Sequence, residues 1–177
     1  MIKLNAKQLR KGLGSRVQGM RKKQEIYIVL DNVLDTYNIG SIFRLADAVA
    51  AKKIYLCGQS ETPPNHRIKK ASINTTEWVD WEYVETALKA IKKLKKEVKN
   101  LQIVAIEQAA NSIPYDKFEY KLPTVLVVGH ESFGVSRDVL EISDAIVELP
   151  MFGVNISLNV IVSLGIVLYE VLEKNQT

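Results

Sequence analysis

The feature that most constrains the fold is an alternation of short apolar runs with longer segments of helical periodicity along most of the chain. The apolar runs predict strands at residues 26–30, 53–56, 77–79, 101–106, 124–128 and 145–149. The periodic segments predict helices at residues 39–50, 84–98, 137–142 and 157–173, with a further short helix at 67–73. Strands that alternate with helices favour an α/β domain built around a parallel sheet.

Three polar turns follow predicted strands, which is where ligands collect in parallel α/β sheets. They lie at residues 31–44, at Gly129-His130-Glu131 and at residues 149–159. The chain has neither a G-x-G-x-x-G fingerprint after its first strand nor a G-x-x-x-x-G-K-[ST] loop, and it has no nucleophile elbow. Ordinary dinucleotide and P-loop nucleotide sites therefore lose support.

The turn at residues 149–160, LPMFGVNISLNV, keeps polar side chains between two apolar runs and contains Pro150 and Gly153. Ser157 is a natural N-cap for the helix that follows, because its hydroxyl can accept hydrogen bonds from free N–H groups of the first turn. That helix has almost no polar face, which predicts burial on all sides. The segment by itself is equally compatible with a capped core helix and with a ligand site at the start of the helix.

Polar residues near the ends of the first and fifth strands are candidates for chemistry. Asn38 can cap the first predicted helix, and Arg44 follows about two turns into it. Arg44 is placed either for an ion pair with Asp47 or for a bidentate contact with phosphate. Glu131, in a glycine-flanked turn, either accepts hydrogen bonds from a ligand, orients a neighbouring polar group, or is a solvated acid.

The length of 177 residues fits one globular domain. The lone Cys57 excludes an intramolecular disulfide and suits a reducing compartment, while the two separated histidines, His66 and His130, offer no metal-ligand cluster. The last helix is too short and too interrupted to span a bilayer, and the N-terminus has no apolar signal core. These features predict a cytoplasmic protein without a metal.

Positive charge is concentrated at the N-terminus. Residues 1–25 carry eight basic residues and one acidic residue, a net charge of +7, so the remaining chain carries −3. We therefore divide the chain into a basic arm, residues 1–25, and a single domain, residues 26–177. The arm is either a solvated tail or an electrostatic contact for a polyanion such as RNA. Its candidate RNA-binding side chains are Lys7, Arg10, Lys11, Arg16, Arg21, Lys22 and Lys23.

A second basic cluster lies on the helix predicted at residues 84–98. Its lysines share the segment with apolar residues at helical spacing, and they are Lys89, Lys92, Lys93, Lys95, Lys96 and Lys99. This spacing favours a solvated helix face over a dedicated nucleic-acid surface.

Three motifs, in this order and at predicted strand ends, resemble the TrmH (SpoU) branch of the SPOUT RNA methyltransferases. The first motif is NIGSIFRLADA at residues 38–48, the second is VVGHESFGVS at 127–136, and the third is ELPMFGVNISLNV at 148–160. Each motif alone is moderately specific for the family, and the three motifs together, in this order and spacing, are far more specific. The resemblance covers roughly residues 27–172.

The resemblance implies transfer of a methyl group from S-adenosylmethionine to a ribose 2'-hydroxyl of RNA, without a metal, by a homodimer. It also implies a SPOUT-type parallel sheet flanked by helices with a deep C-terminal trefoil knot, whereas general rules of chain topology predict an unknotted sheet. The cofactor-binding positions that it implies are Ile106, Gly129, Leu149, Met151, Ser157 and Leu158. The catalytic positions that it implies are Arg44, Asn38, Glu131, Ser157 and Asn159.

The arginine at position 44 is often given the role of base in this family. We instead expect Arg44 to hold an RNA phosphate and to stabilise negative charge on the 2'-oxygen, with the proton leaving late or through water. The reason is that a guanidinium stays protonated in proteins.

The resemblance favours transfer RNA as substrate, because we see no separate RNA-binding domain before the catalytic one. The run VAIEQA at residues 104–109 resembles members that methylate guanosine 18 of tRNA. Methylation of ribosomal RNA and of tRNA position 34 are open alternatives. We prefer the methyltransferase to two other interpretations, a non-catalytic RNA-binding protein on the same scaffold and a small-molecule α/β enzyme.

Overall fold

The computed structural model describes residues 22–175, which form seven strands and five α-helices. The strands are β1 (Gln24–Asp31), β2 (Ala51–Cys57), β3 (Trp81–Val84), β4 (Gln102–Ile106), β5 (Ile113–Pro114), β6 (Thr124–Val128) and β7 (Ala145–Glu148). The helices are α1 (Thr36–Ala48), α2 (His66–Ser72), α3 (Ala87–Glu97), α4 (Arg137–Ile142) and α5 (Val160–Asn175). A 3-10 turn covers Thr75–Glu77.

All of these strands join one parallel sheet in the order β3-β2-β1-β6-β4-β7-β5. β1 pairs with β2 on one side and with β6 on the other, so that Ile28 lies opposite both Ile54 and Leu126. β4 pairs in the same direction with β6 and β7. Because every strand points the same way, all the carboxyl ends lie along one edge of the sheet. The predicted α/β fold with a parallel sheet flanked by helices is confirmed.

Helices cover both faces of the sheet. One layer contains α1, α2 and α5, whose buried side chains pack with Ile28 of β1. The other layer contains α3 and α4, whose buried side chains pack with Val29. Consecutive residues of β1 thus point to opposite faces, as the pleat of a strand requires. Burial on both faces explains why the sequences of the central strands are continuous apolar runs rather than alternations of apolar and polar residues.

The strand predicted at residues 77–79 is wrong. The 3-10 turn takes its place, because Glu77 N–H donates to Asn74 O at 3.0 Å and Val79 N–H donates to Thr75 O at 2.9 Å. These local bonds use the donors that a sheet ladder needs. The strand forms instead at β3, which pairs with β2. β5 is so short that it leaves no pattern in the sequence.

Helix α5 begins at Val160, later than predicted, and the predicted N-cap role of Ser157 is wrong. Asn159 Oδ1 accepts a hydrogen bond from Ile161 N–H at 2.8 Å, so Asn159 is the residue that caps the helix. Ser157 lies in the exposed, irregular segment before it. The side chain nearest to the free N–H groups therefore decides where the helix starts.

The prediction that this last helix is buried on all sides is also wrong for the single chain. Its buried residues are Leu164, Val167, Leu168 and Val171, whereas Val162, Ile166 and Tyr169 are exposed. The exposed residues form an apolar stripe along α5, the kind of feature that marks an interaction surface. Within residues 22–175, no helix is both long and apolar enough to cross a membrane.

Helices α1 and α2 approach each other closely at Gly40. A Cβ at this position would lie 2.6 Å from Ala71 Cβ and 2.7 Å from Ile68 O. A glycine is therefore needed for α2 to pack against the N-terminal half of α1. On α5, by contrast, a Cβ at Gly165 would meet only the Leu45 Cδ atoms, the nearer at 3.6 Å, which is an ordinary van der Waals contact.

We predict that Gly40→Ala lowers the free energy of unfolding by about 1–3 kcal/mol, because the added methyl group must push two helices apart. Gly165→Ala is the matched control, since it adds the same methyl group to a helix that has room for it. There, the higher helix propensity of alanine should leave the stability unchanged or raise it by up to about 1 kcal/mol. Urea denaturation measures the free energy of unfolding of both variants. If Gly40→Ala is as stable as Gly165→Ala, α2 can move away from the added methyl group without loss of stability.

Candidate functional site

A cavity of about 430 Å³ opens at the carboxyl ends of β4, β6 and β7. These strands contribute the buried side chains of Ile106, Val128 and Val147 to its floor. The loop after β6 and the segment between β7 and α5 form its walls. A concave site of this size, with apolar residues and a few polar groups, suits an amphipathic small molecule.

The loop after β6 folds back on itself. His130 N–H donates to Gly134 O at 3.0 Å, and Gly134 N–H donates to His130 O at 2.8 Å. Gly134 has a φ of +69°, a conformation that glycine adopts without strain. A Cβ at Gly129 would overlap the backbone of Gly134. The two glycines therefore let the loop close tightly beside the cavity.

Glu107, the first residue after β4, holds this loop from the neighbouring strand. Its Oε2 accepts a hydrogen bond from Val135 N–H at 2.8 Å, and its Oε1 accepts one from Gln108 N–H at 2.9 Å. A Cβ at Gly134 would overlap the same Oε2. Sequence reasoning missed Glu107 as a site residue. The available signal was an acidic residue directly after a buried apolar strand.

Gln108 holds the opposite wall of the cavity. Its Nε2 donates to Ile156 O at 2.7 Å. Across the part of the chain that the structure describes, this is the only hydrogen bond that joins residues 150–158 to the rest of the protein. The segment is otherwise open to solvent, since Phe152 is 98% exposed and nothing lies within 4 Å of a Cβ built at Gly153. Gln108 was also missed, because a glutamine in a loop has no distinctive sequence pattern.

A polar network crosses the rim of the cavity. Glu131 Oε1 accepts hydrogen bonds from Asp35 N–H at 3.0 Å and from Asn38 Nδ2 at 2.9 Å. Glu131 Oε2 accepts a hydrogen bond from Leu34 N–H at 3.1 Å. Asn159 Nδ2 donates to Asn38 Oδ1 at 3.3 Å. One residue from each of the three motifs therefore takes part in a single chain of hydrogen bonds.

Hydrogen bonds outweigh partial burial in their effect on the pKa of Glu131. Partial burial raises the pKa of this carboxyl, whereas hydrogen bonds from Asn38 Nδ2 and from the backbone N–H groups of Asp35, Glu131 itself and Leu34 lower it. The net effect is a pKa below the ordinary value of a glutamate. Glu131 is therefore ionised at neutral pH, and its side chain acts only as a hydrogen-bond acceptor.

Asp35 caps α1, so the predicted capping role of Asn38 is wrong. The Asp35 carboxylate accepts a hydrogen bond from Tyr37 N–H at 2.7 Å, and the helix begins at Thr36. Asn38 lies inside the first turn and is buried. Its amide is engaged by Glu131 and Asn159, which leaves Asp35 to satisfy the free N–H groups of the helix.

Arg44 lies on the exposed side of α1 and does not line the cavity. The ion pair considered with Asp47 does not form, and Asp47 Oδ1 instead accepts a hydrogen bond from Trp78 Nε1 at 2.9 Å. Among residues 22–175, no carboxylate lies within ion-pair distance of Arg44. Its guanidinium is thus available to an anion from outside this part of the chain.

The structure brings most of the predicted site residues together. All six predicted cofactor-binding residues line the cavity, namely Ile106, Gly129, Leu149, Met151, Ser157 and Leu158. Among the predicted catalytic residues, Glu131, Ser157 and Asn159 line the cavity, Asn38 joins it through the network, and Arg44 lies outside. In the described part of the chain, no cluster of three or more histidine, cysteine, aspartate or glutamate side chains is arranged to hold a metal ion.

The basic arm falls largely beyond the part that the structure describes. The predicted RNA-binding residues Lys7, Arg10, Lys11, Arg16 and Arg21 lie outside the described residues. Lys22 begins the described range, and Lys23 Nζ lies 2.6 Å from Asp80 Oδ2. Lys23 is therefore occupied by an ion pair.

Residues 25–169 match the model of the SpoU rRNA Methylase family. Over 156 residues, the chain is 34% identical to a tRNA (guanosine(18)-2'-O)-methyltransferase of Aquifex aeolicus, an alignment that covers 85% of this chain and 70% of that protein. The chain spans 61 to 70% of the length of three curated relatives with which it aligns.

Solved structures agree with the family match. The crystal structure of the A. aeolicus TrmH/SpoU tRNA modifying enzyme has a TM-score of 0.82 and 32% identity, with 95% of this chain and 84% of that chain covered. An AdoMet-bound rRNA methyltransferase from Sinorhizobium meliloti has a TM-score of 0.79 and 27% identity, with 90% and 60% covered. Since the family model matches most of the chain and one hydrogen-bond network joins residues of all three motifs beside the cavity, the protein belongs to the SpoU rRNA methylase family.

Proposed function

We propose that this protein transfers a methyl group from S-adenosylmethionine to a ribose 2'-hydroxyl of RNA. The observation that carries the proposal is that the second and third motifs line one cavity and that Asn38 of the first motif is hydrogen-bonded to both of them at its rim. The six predicted cofactor positions line this cavity, and the network of Glu131, Asn38 and Asn159 lies on its rim. The A. aeolicus relative is named for methylation of a 2'-oxygen in tRNA, and the S. meliloti relative is described with AdoMet bound.

The cavity fits S-adenosylmethionine, which supplies a methyl group on a positively charged sulfur. The apolar side chain of Ile106 and the backbone around Gly129, Leu149, Met151 and Leu158 would hold it. Glycine at positions 129 and 134 lets the loop after β6 close beside the cavity, since a side chain at either position would clash within the loop or with Glu107. The backbone of Gly129, which has no side chain, lines the cavity directly. With the methyl group already activated, the protein mainly has to align a ribose oxygen and exclude water.

The polar network has a positioning role in this proposal. Both oxygens of Glu131 already accept hydrogen bonds from the first turn of α1 and from the residues just before it. A carboxylate with a lowered pKa and three donors is a poor proton acceptor, so Glu131 is not the base. It instead fixes Asn38, which in turn orients Asn159 beside the cavity.

Arg44 is the residue that we propose for contact with the RNA at the reacting nucleotide. A guanidinium offers two parallel N–H donors to a phosphate, and it can stabilise negative charge that develops on the 2'-oxygen. Arg44 has no ion pair within residues 22–175 and follows Asn38 by less than two helical turns, so it extends the site along α1.

The proposal includes a homodimer with a deep C-terminal trefoil knot. A second subunit would cover the apolar stripe of α5 and the exposed Phe152 and Val154 next to the cavity. The sheet order supports a complex chain path, because β4 lies between β6 and β7 although it precedes both. The enzyme would act in the cytoplasm, whose reducing conditions suit the buried free thiol of Cys57.

Transfer RNA is the preferred substrate, with guanosine 18 as the target nucleotide. The A. aeolicus relative, at 34% identity, is named for that position. Ribosomal RNA is the second candidate, because the S. meliloti rRNA methyltransferase shares the fold at 27% identity.

Labelled S-adenosylmethionine and an unmodified tRNA transcript are expected to yield 2'-O-methylguanosine at position 18, which mass spectrometry of nuclease fragments can locate. A transcript with adenosine at that position and a ribosomal RNA pool are the controls, and both should stay unlabelled. A methyl group at position 34 or in ribosomal RNA would contradict the preferred substrate. Label on protein or on small molecules alone would contradict the reaction itself.

Arg44→Lys is expected to lower the rate of methyl transfer by about 10- to 100-fold, because lysine keeps the charge and loses the two parallel donors. Affinity for S-adenosylmethionine should not change, since Arg44 lies outside the cavity. Arg137→Lys is the matched control, because Arg137 is an exposed arginine whose Nε pairs with Glu141 at 2.9 Å. Near-normal turnover of Arg44→Lys in single-turnover assays would exclude bidentate positioning.

Gln108→Leu is expected to weaken binding of S-adenosylmethionine by about 3- to 10-fold, because it removes the hydrogen bond that holds residues 150–158 against the cavity. Gln102→Leu is the matched control. Gln102 Nε2 also donates to a backbone carbonyl, Glu119 O at 3.1 Å, but at the opposite end of β4. Isothermal titration calorimetry measures both affinities. If the two variants bind equally well, the hydrogen bond to Ile156 does not shape the cofactor site.

A further inference from the structure

Between residues 23 and 174, the cations without an ion-pair partner form two groups. Between residues 23 and 174, the cations paired with carboxylates are Lys23, Lys52, Lys53, Lys89, Lys93, Lys117, Lys121, Arg137 and Lys174. Those without a carboxylate partner in this range are Arg44, Arg67, Lys69, Lys70, Lys92, Lys95, Lys96 and Lys99. The first four lie on α1 and α2, and the last four lie on or just after α3.

The outer face of α2 carries a compact basic cluster. We call Arg67, Lys69 and Lys70 the α2 cluster, and all three side chains are exposed. The opposite side of the helix is buried through Ile68 and Ser72, so the cluster must face away from the protein. Residues 62–76 contain no acidic residue, and within residues 22–175 no carboxylate lies at ion-pair distance from these three side chains.

α2 lies on the same side of the sheet as the site. The chain reaches α2 from the carboxyl end of β2, and the helix packs against Gly40 of α1. Gly40 lies between Asn38, which belongs to the polar network, and Arg44. The α2 cluster thus flanks the stretch of α1 that joins the rim of the cavity to Arg44.

The lysines of α3 lie on the other side of the sheet. α3 packs in the second helical layer with α4, away from α1, α2 and α5. Its charge is also partly neutralised, since Lys89 pairs with Glu85 and Lys93 pairs with Glu82. Although α3 has more lysines than α2, it is therefore the less suitable binding surface for an anion that must reach the cavity.

We propose that the α2 cluster binds the phosphate backbone of the RNA substrate and leads it to Arg44. This inference rests on the proposed function, because it names the surface that would hold the RNA outside the reacting nucleotide. Phosphate contacts fix the position and orientation of a nucleic acid without reading its sequence. Exposed arginine and lysine side chains that form no ion pair supply such contacts, and their contribution falls as salt rises.

Replacement of the α2 cluster by alanine, as Arg67→Ala, Lys69→Ala and Lys70→Ala in one chain, tests the proposal. Filter binding of an unmodified tRNA transcript should show an affinity at least about 10-fold lower at physiological salt. The slope of log affinity against log salt should become shallower by about two, since about three phosphate contacts are lost. Lys69→Arg with Lys70→Arg keeps the charge and should retain the affinity for tRNA.

The matched control replaces Lys92, Lys95 and Lys96 of α3 by alanine, which removes the same charge from the other side of the sheet. This variant should bind tRNA within about threefold of the unmodified protein. An equal or larger loss in the α3 variant, or no loss in the α2 variant, would overturn the proposal. Unchanged binding of S-adenosylhomocysteine in calorimetry would show that both variants are folded.

Methyl transfer by the unmodified protein separates this inference from the proposed function. If that protein binds tRNA through the α2 cluster but transfers no methyl group, the proposed reaction fails and the docking surface stands. If it methylates tRNA and the α2 variant does so with an unchanged KM for tRNA, the docking surface fails and the proposed reaction stands. A raised KM with an unchanged kcat is the expected result.

Discussion

The carboxylate of Glu131 is the contact on which the arrangement of the site depends. It lies in the loop after β6, yet its two oxygens accept hydrogen bonds from Leu34, Asp35 and Asn38 around the start of α1. These hydrogen bonds lower its pKa, and the charge of the carboxylate in turn makes them stronger than bonds to a neutral acceptor. Through Asn38 it also reaches Asn159 at the start of α5. One charged group thus aligns three segments that lie far apart in the chain.

The two walls of the cavity are held very differently. The wall after β6 is closed by its own backbone bonds, by two glycines and by Glu107. In the wall between β7 and α5, residues 150–158 have a single hydrogen bond to the rest of the described chain, from Gln108, and they expose large apolar side chains. Such a segment gains most from a second subunit, because association would bury its apolar surface and restrict its motion. The proposed dimer would thereby order one wall of the proposed cofactor site.

Charge and fold together decide which basic surface suits a polyanion. In the sequence, the lysines of α3 are the denser cluster, and their helical spacing predicts a solvated face. In the fold, α3 packs on the side of the sheet away from α1, whereas the less conspicuous cations of α2 lie next to it. The difference follows from the sheet order, which local charge counts do not contain.

The sequence by itself determined most strands and helices, because periodicity is a local property. The second and third motifs identified residues that line one cavity, and the first motif identified Asn38, which is hydrogen-bonded to both. Only the tertiary structure decided the helix caps, since the amide of Asn38 is engaged by a carboxylate 93 residues away and Asp35 caps α1 instead. It also decided the roles of Glu107 and Gln108. β4 lies between β6 and β7, so Glu107 and Gln108, which follow β4, contact the loop after β6 and the segment after β7 respectively. This placement depends on long-range strand pairing, which no local sequence pattern contains.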